Sequence, residues 1–240
     1  MIDGALRSLG EAEALLVGLD FDGVLAEIVA RPEDAIPVDG VAEVLADLVR
    51  LSAVRVAAVS GRRRDDLAER LTPPAGVILV GEHGADTGAG ALPEPPGYEE
   101  VRDILVRVAS RHPGAWVEDK RTGMTLHARA LDAETADLVA GEAERALAPV
   151  VPGRFERGRR VVDVRLTGVT KGEAVAALRR PSELVLYIGD DTTDETVFET
   201  LGPDDVGVKV GSGDTAASHR LADPPAVVRL LRDLVRMRLR

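Results

Sequence analysis

Two aspartates, Asp20 and Asp22, stand two residues apart directly after the apolar run Leu15, Leu16, Val17, Gly18, Leu19. Like charges a few ångströms apart raise each other's pKa. The pairing is useful only if a cation sits between the acids or one of them keeps a proton for transfer. Mg²⁺ suits such a pair because it takes hard oxygen ligands. A division of labour suits it too, with Asp20 as nucleophile and Asp22 as general acid and base. Two solvated acids in a turn are the ordinary alternative for this stretch taken alone. Three further groups complete a pattern: Ser60-Gly61-Arg62, Lys171, and Gly189-Asp190-Asp191 with Asp194. Together they fit phosphoryl transfer through an aspartyl phosphate. Asp20 would attack phosphorus, while Ser60 and Lys171 would hold the phosphoryl oxygens. The metal would sit on Asp20, Asp190 and the backbone carbonyl of Asp22, with Asp191 and Asp194 orienting metal or lysine.

These groups are far apart in sequence, so the elements must bring them together. Residues 15–19, 54–59, 77–80, 184–188 and 206–210 are short, nearly continuous apolar runs. That is the pattern of parallel strands buried on both faces. Helical spacing in 41–51, 63–71 and 170–180 alternates with them, as in a doubly wound α/β fold. Ligands in such folds collect beyond the carboxyl ends of the strands. Asp20, Ser60 and Asp190 each follow a strand, and Gly23 lets the chain turn away. A capping box at Thr192 and Glu195 and a helix over 197–201 are expected after the acidic cluster. A terminal helix over 227–240 is expected to pack on the sheet.

Between about 86 and 166 the style changes. A Gly/Pro-rich passage, 87–97, leads to a helix over 99–111, and a second helix spans 133–147. Around them, 116–120, 124–129 and 161–166 alternate apolar and polar positions, the mark of an antiparallel sheet with one packed face. The expected architecture is therefore a Rossmann-like parallel-sheet core, residues 1–85 and 167–240, with an inserted α/β cap, residues 86–166.

The 240 residues carry a net charge of −11, 2% aromatics and no cysteine. Charge and the shortage of rings argue against nucleic acid. No apolar run is long enough to span a bilayer, and the absence of cysteine fits a reducing compartment. A cytoplasmic monomer or weak dimer acting on a small molecule is expected.

The motifs Asp20-Phe21-Asp22-Gly23-Val24, Ser60-Gly61-Arg62, Lys171 and Gly189-Asp190-Asp191 with Asp194 resemble those of the haloacid dehalogenase superfamily of phosphohydrolases. More narrowly, Gly81-Glu82-His83-Gly84, Glu118 with Lys120, His127 with Arg129, and Thr170-Lys171-Gly172 are similar to trehalose-6-phosphate phosphatases. The resemblance implies a Mg²⁺-dependent phosphatase whose cap handles a disaccharide. It implies that Glu118, Lys120, His127, Arg129 and Asp163 contact the sugar, with Gly61, Arg62 and His83 near it. Two departures stand out. Asp163-Val164-Arg165-Leu166 replaces the usual Glu-Val-Arg-Pro, and Val24 replaces the usual Thr. The shorter acid at 163 leaves a related disaccharide or pseudo-disaccharide (aminocyclitol) phosphate open as substrate. A signalling receiver domain shares an acceptor aspartate, a hydroxyl residue and a lysine, but has neither the acid at the Asp22 position nor an inserted block.

Overall fold

The computed structural model describes residues 2–88, 95–120, 122–158 and 160–239. From the amino end run α1 (Ile2–Glu11), β1 (Ala14–Leu19), α2 (Val41–Arg50), β2 (Val54–Val59), α3 (Arg64–Leu71) and β3 (Val77–Val80). Then come α4 (Tyr98–Ala109), β4 (Trp116–Lys120), β5 (Gly123–His127), α5 (Ala133–Leu147), β6 (Phe155–Gly158) and β7 (Val161–Arg165). The chain closes with α6 (Lys171–Leu178), β8 (Glu183–Gly189), α7 (Thr192–Phe198), β9 (Val206–Val210), β10 (His219–Leu221) and α8 (Pro224–Arg238). It divides into two compact units, Met1–Ala89 with Val169–Arg240, and Gly90–Gly168.

The first unit is built on a six-stranded sheet in the order β10-β9-β8-β1-β2-β3, all of whose pairs are parallel. β1 is central because every side of it is apolar. Leu15, Val17 and Leu19 pack into one hydrophobic cluster with α2 and α8, while Leu16 packs into a second with Ala57, Val185 and Tyr187. The chain leaves β1 toward β2 on one side and returns through β8 on the other. The switch in direction therefore falls at β1, where an open α/β sheet leaves a crevice. Gly18 has a role in that packing, since a Cβ there would lie 2.6 Å from the Tyr187 ring.

The second unit is a four-stranded antiparallel sheet, β4-β5-β7-β6. Val117, Met124, Leu126, Val162 and Val164 point to one face and pack with Val101, Leu105, Val139 and Ala143 of α4 and α5. The strict alternation leaves Trp116, Glu118, Lys120, Thr125, His127 and Asp163 on the other.

Several elements differ from expectation. α7 begins at Thr192, not near 197, because Asp191 is its N-cap and Asp194 completes the capping box; Thr192 and Glu195 do not form one. α1, β6 and β10 lack a strong local signal, the last two being short edge strands. Of the Gly/Pro-rich passage, 89–94 lie outside the described residues. No helix among the described residues is long and apolar enough to cross a membrane.

Candidate active site

β8, β1 and β2 are neighbours in register. Leu19 pairs with Ile188 on one side and Ala58 on the other, so Asp190, Asp20 and Ser60 follow adjacent strand ends. Asp20 continues the ladder with its backbone, donating to the Ile188 carbonyl at 3.0 Å, and its Oδ1 accepts from the Phe21 amide at 2.6 Å. Lys171 reaches the same place from the first turn of α6, whose start is fixed by the Thr170–Glu173 capping box. Its Nζ donates to Asp20 Oδ2 at 2.6 Å and to Asp194 Oδ1 at 2.8 Å. The ammonium is buried. Burial works against its charge, but Asp20 and Asp194 more than offset that and hold its pKa above the ordinary lysine value.

Asp194 is the hub. Oδ1 also accepts from the Tyr187 hydroxyl at 2.7 Å, and Oδ2 accepts from the Asp190 and Asp191 amides at 2.9 and 3.0 Å. Four donors saturate it. Burial would raise its pKa, yet Lys171 and these donors keep it low. The loop that carries Asp190 is thus tied to the lysine. The space left by Gly18 for the Tyr187 ring contributes one of the ties.

Asp20, Asp190 and Asp194 offer carboxylate oxygens within 4.8 Å of one another. Burial pushes the Asp190 carboxyl up to about 7, with the Asp194 charge adding to the effect. Burial also drives Asp20 well above the usual carboxylate range, against the pull of Lys171. Lys171 offsets part of this crowding at Asp20 and Asp194, and a hard, oxygen-seeking ion at Asp20 and Asp190 fits what remains. Gly23 belongs to the same design. Its φ is +75°, and a Cβ would run into the Asp190 carboxylate.

Asp191, expected beside the metal, caps α7 instead. Its exposed carboxylate accepts from the Thr192 amide at 2.6 Å, and it is Asp194 that joins the cluster. Asp22 is held by Arg62, whose Nε and Nη2 donate to its two carboxylate oxygens at 2.7 and 2.8 Å. The same guanidinium donates to Asp66 and to the Pro32 carbonyl and lies over the Phe21 ring. Ser60 is 1% exposed, with its Oγ accepting from the Arg62 amide at 3.2 Å. Gly61 leaves room for the His83 imidazole, which a Cβ would strike. His83 and Glu82 both adopt left-handed backbone, φ +57° and +51°, a strained turn of the kind found at working sites. The turn is pinned by His83 N to Ser60 O and Glu82 N to Arg62 O.

In the second unit the expected sugar residues form two pairs. Glu118 Oε2 is 2.9 Å from His127 Nε2. Lys120 donates to Asp163 Oδ1 at 2.8 Å, and Thr125 Oγ1 donates to the same oxygen at 2.5 Å. Although Glu118 is half-buried, its carboxylate is held below the ordinary value, because His127 and Lys120 outweigh desolvation. Arg129 is exposed, two residues past the end of β5. Tyr187, Thr125 and Trp116 were not singled out from sequence for this chemistry. Gly18, placed opposite Tyr187, was the one signal for that residue.

The parallel sheet, the acidic strand ends and the buried lysine have the arrangement of the haloacid dehalogenase superfamily. The chain belongs to the trehalose-phosphatase family, whose sequence profile matches residues 18–225. The trehalose-6-phosphate phosphatase of Escherichia coli is 33% identical over 220 residues, 87% of this chain and 82% of that protein. The bifunctional trehalose-6-phosphate synthase/phosphatase of Thermoproteus tenax is 33% identical over 246 residues, covering 97% of this chain. The chain spans only 33% of that longer protein. Among solved structures, the C-terminal domain of Candida albicans trehalose-6-phosphate phosphatase superposes with a TM-score of 0.83 at 26% identity, over 97% of this chain and 96% of that one.

Proposed function

We propose that this chain hydrolyses trehalose 6-phosphate to trehalose and phosphate through a phosphoryl group carried on Asp20. The observation that carries the reading is Lys171 Nζ, bonded at once to Asp20 and Asp194. A buried cation at the nucleophile offsets the charge of an incoming phosphate and favours the ionised form of Asp20 against the burial that raises its pKa. Asp20 Oδ forms the new bond to phosphorus as the bond to the sugar oxygen breaks. Asp22 supplies the proton to that oxygen, then takes one from the water that cleaves the acyl phosphate. The Arg62–Asp22 pair is the resting arrangement and opens for this work. Ser60 and Lys171 hold the phosphoryl oxygens.

Asp20 and Asp190, with the Asp22 carbonyl, would hold Mg²⁺, and Asp194 would set the loop. When bound, Mg²⁺ would screen the negative charge between carboxylate and phosphate. Glu118, Lys120, His127, Arg129 and Asp163 take sugar hydroxyls, which makes the Gly90–Gly168 unit the specificity-bearing one. The cysteine-free composition fits a cytoplasmic enzyme.

Phosphate release from a panel of sugar phosphates with Mg²⁺ tests the substrate. Trehalose 6-phosphate should exceed glucose 6-phosphate in kcat/KM by about 10⁴-fold, the discrimination that matched buried polar groups provide. Equal rates on both would sink the disaccharide reading. Asp163 favours one competitor for the panel. It is committed to Lys120 and Thr125 and is shorter than the glutamate of the family motif it resembles, so an aminocyclitol disaccharide phosphate belongs beside trehalose 6-phosphate.

Metal binding should depend on pH in a defined direction. In the metal-free protein Asp190 holds a proton up to about 7, which an incoming cation must displace. Mg²⁺ affinity should therefore climb as pH rises toward 7 and level off above it. Calorimetry in two buffers of different ionisation heat should show proton release at about pH 6 that fades by about pH 8. The folded pKa lies above the unfolded value of about 3.9. The metal-free protein should accordingly lose stability as pH rises between these values. Binding without proton release at any pH would remove Asp190 from the site. EDTA should abolish turnover, and added Mg²⁺ should restore it.

A further inference from the structure

Trp116 is the single tryptophan in a chain with 2% aromatic residues. Nevertheless 48% of its surface is exposed, on the sheet face opposite Val117 and the helix-covered core. Its indole lies flat against the His127 imidazole, with centroids 4.1 Å apart and planes within 7°. The register produces this stack, since the two residues are directly opposed across β4 and β5. His127 is 3% exposed, and Glu118 fixes its ring edge. One face of the indole is therefore backed by a locked ring while about half of the residue remains open. Leaving that much apolar surface in water is unfavourable unless something covers it.

The surroundings say what kind of molecule would. Glu118 and Lys120 follow on the same face of β4, with Thr125 and Asp163 on the neighbouring strands. Carboxylates, an ammonium and a hydroxyl beside a flat apolar ring match a pyranose. A pyranose turns a patch of C–H bonds to one side and hydroxyls to its rim. The negative face of an indole attracts the C–H patch, and the polar neighbours suit the rim.

We infer that Trp116 is a stacking platform for a hexopyranose ring of the substrate, and that His127 holds the indole in place from behind. The inference rests on the disaccharide-phosphatase reading and adds a specificity-determining residue to it. Because there is one tryptophan, its emission reports this position alone. Trehalose, which is not turned over, should change the emission of the unmodified enzyme saturably; inorganic phosphate should not. Trp116→Ala should raise KM for trehalose 6-phosphate about tenfold, the size of one lost aromatic contact. The kcat should move much less. The ratio of kcat/KM for trehalose 6-phosphate to that for p-nitrophenyl phosphate should fall by a similar factor, and Trp116→Phe should recover most of it. No emission change at saturating trehalose, or an unaltered KM in the alanine variant, would overturn the platform. If the alanine variant does not fold, the emission titration and the phenylalanine variant decide. An unmodified enzyme that releases no phosphate from trehalose 6-phosphate overturns the parent reading, while its emission response to trehalose still decides whether Trp116 meets a sugar.

Discussion

Asp20→Asn should lower phosphate release from trehalose 6-phosphate by about 10⁴-fold or more, the scale of losing a covalent nucleophile. It should do so without unfolding the protein. The amide keeps one acceptor oxygen, for either Phe21 N or Lys171 Nζ, which bond different oxygens of Asp20, so one of those two bonds is lost. Burial already disfavours the charge being removed, and the like-charge crowding with Asp190 and Asp194 is relieved. These gains offset the lost bond, and the metal-free variant should stay folded and melt close to the parent. A thermal melt beside a phosphate-release assay separates the two effects. Normal turnover in the variant would show that another group attacks phosphorus.

Lys171→Met should be damaging in both respects. The side chain is 1% exposed and bridges carboxylates that are 7% and 0% exposed. Removing the cation leaves two buried acids without their counter-charge, a situation that costs about 3–5 kcal/mol. The kcat should fall roughly 10³-fold, as when a preorganised electrostatic donor is lost. Denaturant unfolding of the metal-free variant should show the larger stability loss at about pH 8 than at about pH 5, because protonation of Asp20 at lower pH removes part of the conflict. Saturating Mg²⁺ should recover some stability but not the rate, since the metal can neutralise Asp20 without reproducing the bond to Asp194. Parental stability in the metal-free variant would mean that the lysine does not hold these acids together.

Much of this centre was legible because its supports carry strong local signals. β1, β2 and β8 are apolar on both faces, and each stops at a polar residue that the topology then brings to one rim. The alternation in β4, β5 and β7 gave the second sheet and the identity of its polar face. What escaped is mostly tertiary. Asp191 was counted with the metal residues and Asp194 as orienting metal or lysine, and only the start of α7 shows that Asp191 caps the helix while Asp194 joins the cluster. Arg62 was placed near the sugar; its hold on Asp22, an acid 40 residues earlier, could not be read from the sequence. Tyr187 reads as core because its ring is core; the hydroxyl matters only once Gly18 has admitted the ring beside Asp194. α1 carries Leu6 and Leu9 into the main cluster, but with two glycines in ten residues its propensity is weak.

Rapid acid quench of the enzyme mixed with trehalose 6-phosphate and Mg²⁺, followed by peptide mapping, reaches the chemistry most directly. Asp22→Asn should be used alongside the parent, because slowing the second half-reaction lets an acyl phosphate accumulate. A phosphoryl group on the peptide containing Asp20, appearing before free phosphate and decaying as phosphate rises, is the predicted result. Trehalose formation with no protein-bound phosphoryl group at any quench time, in either enzyme, would contradict it.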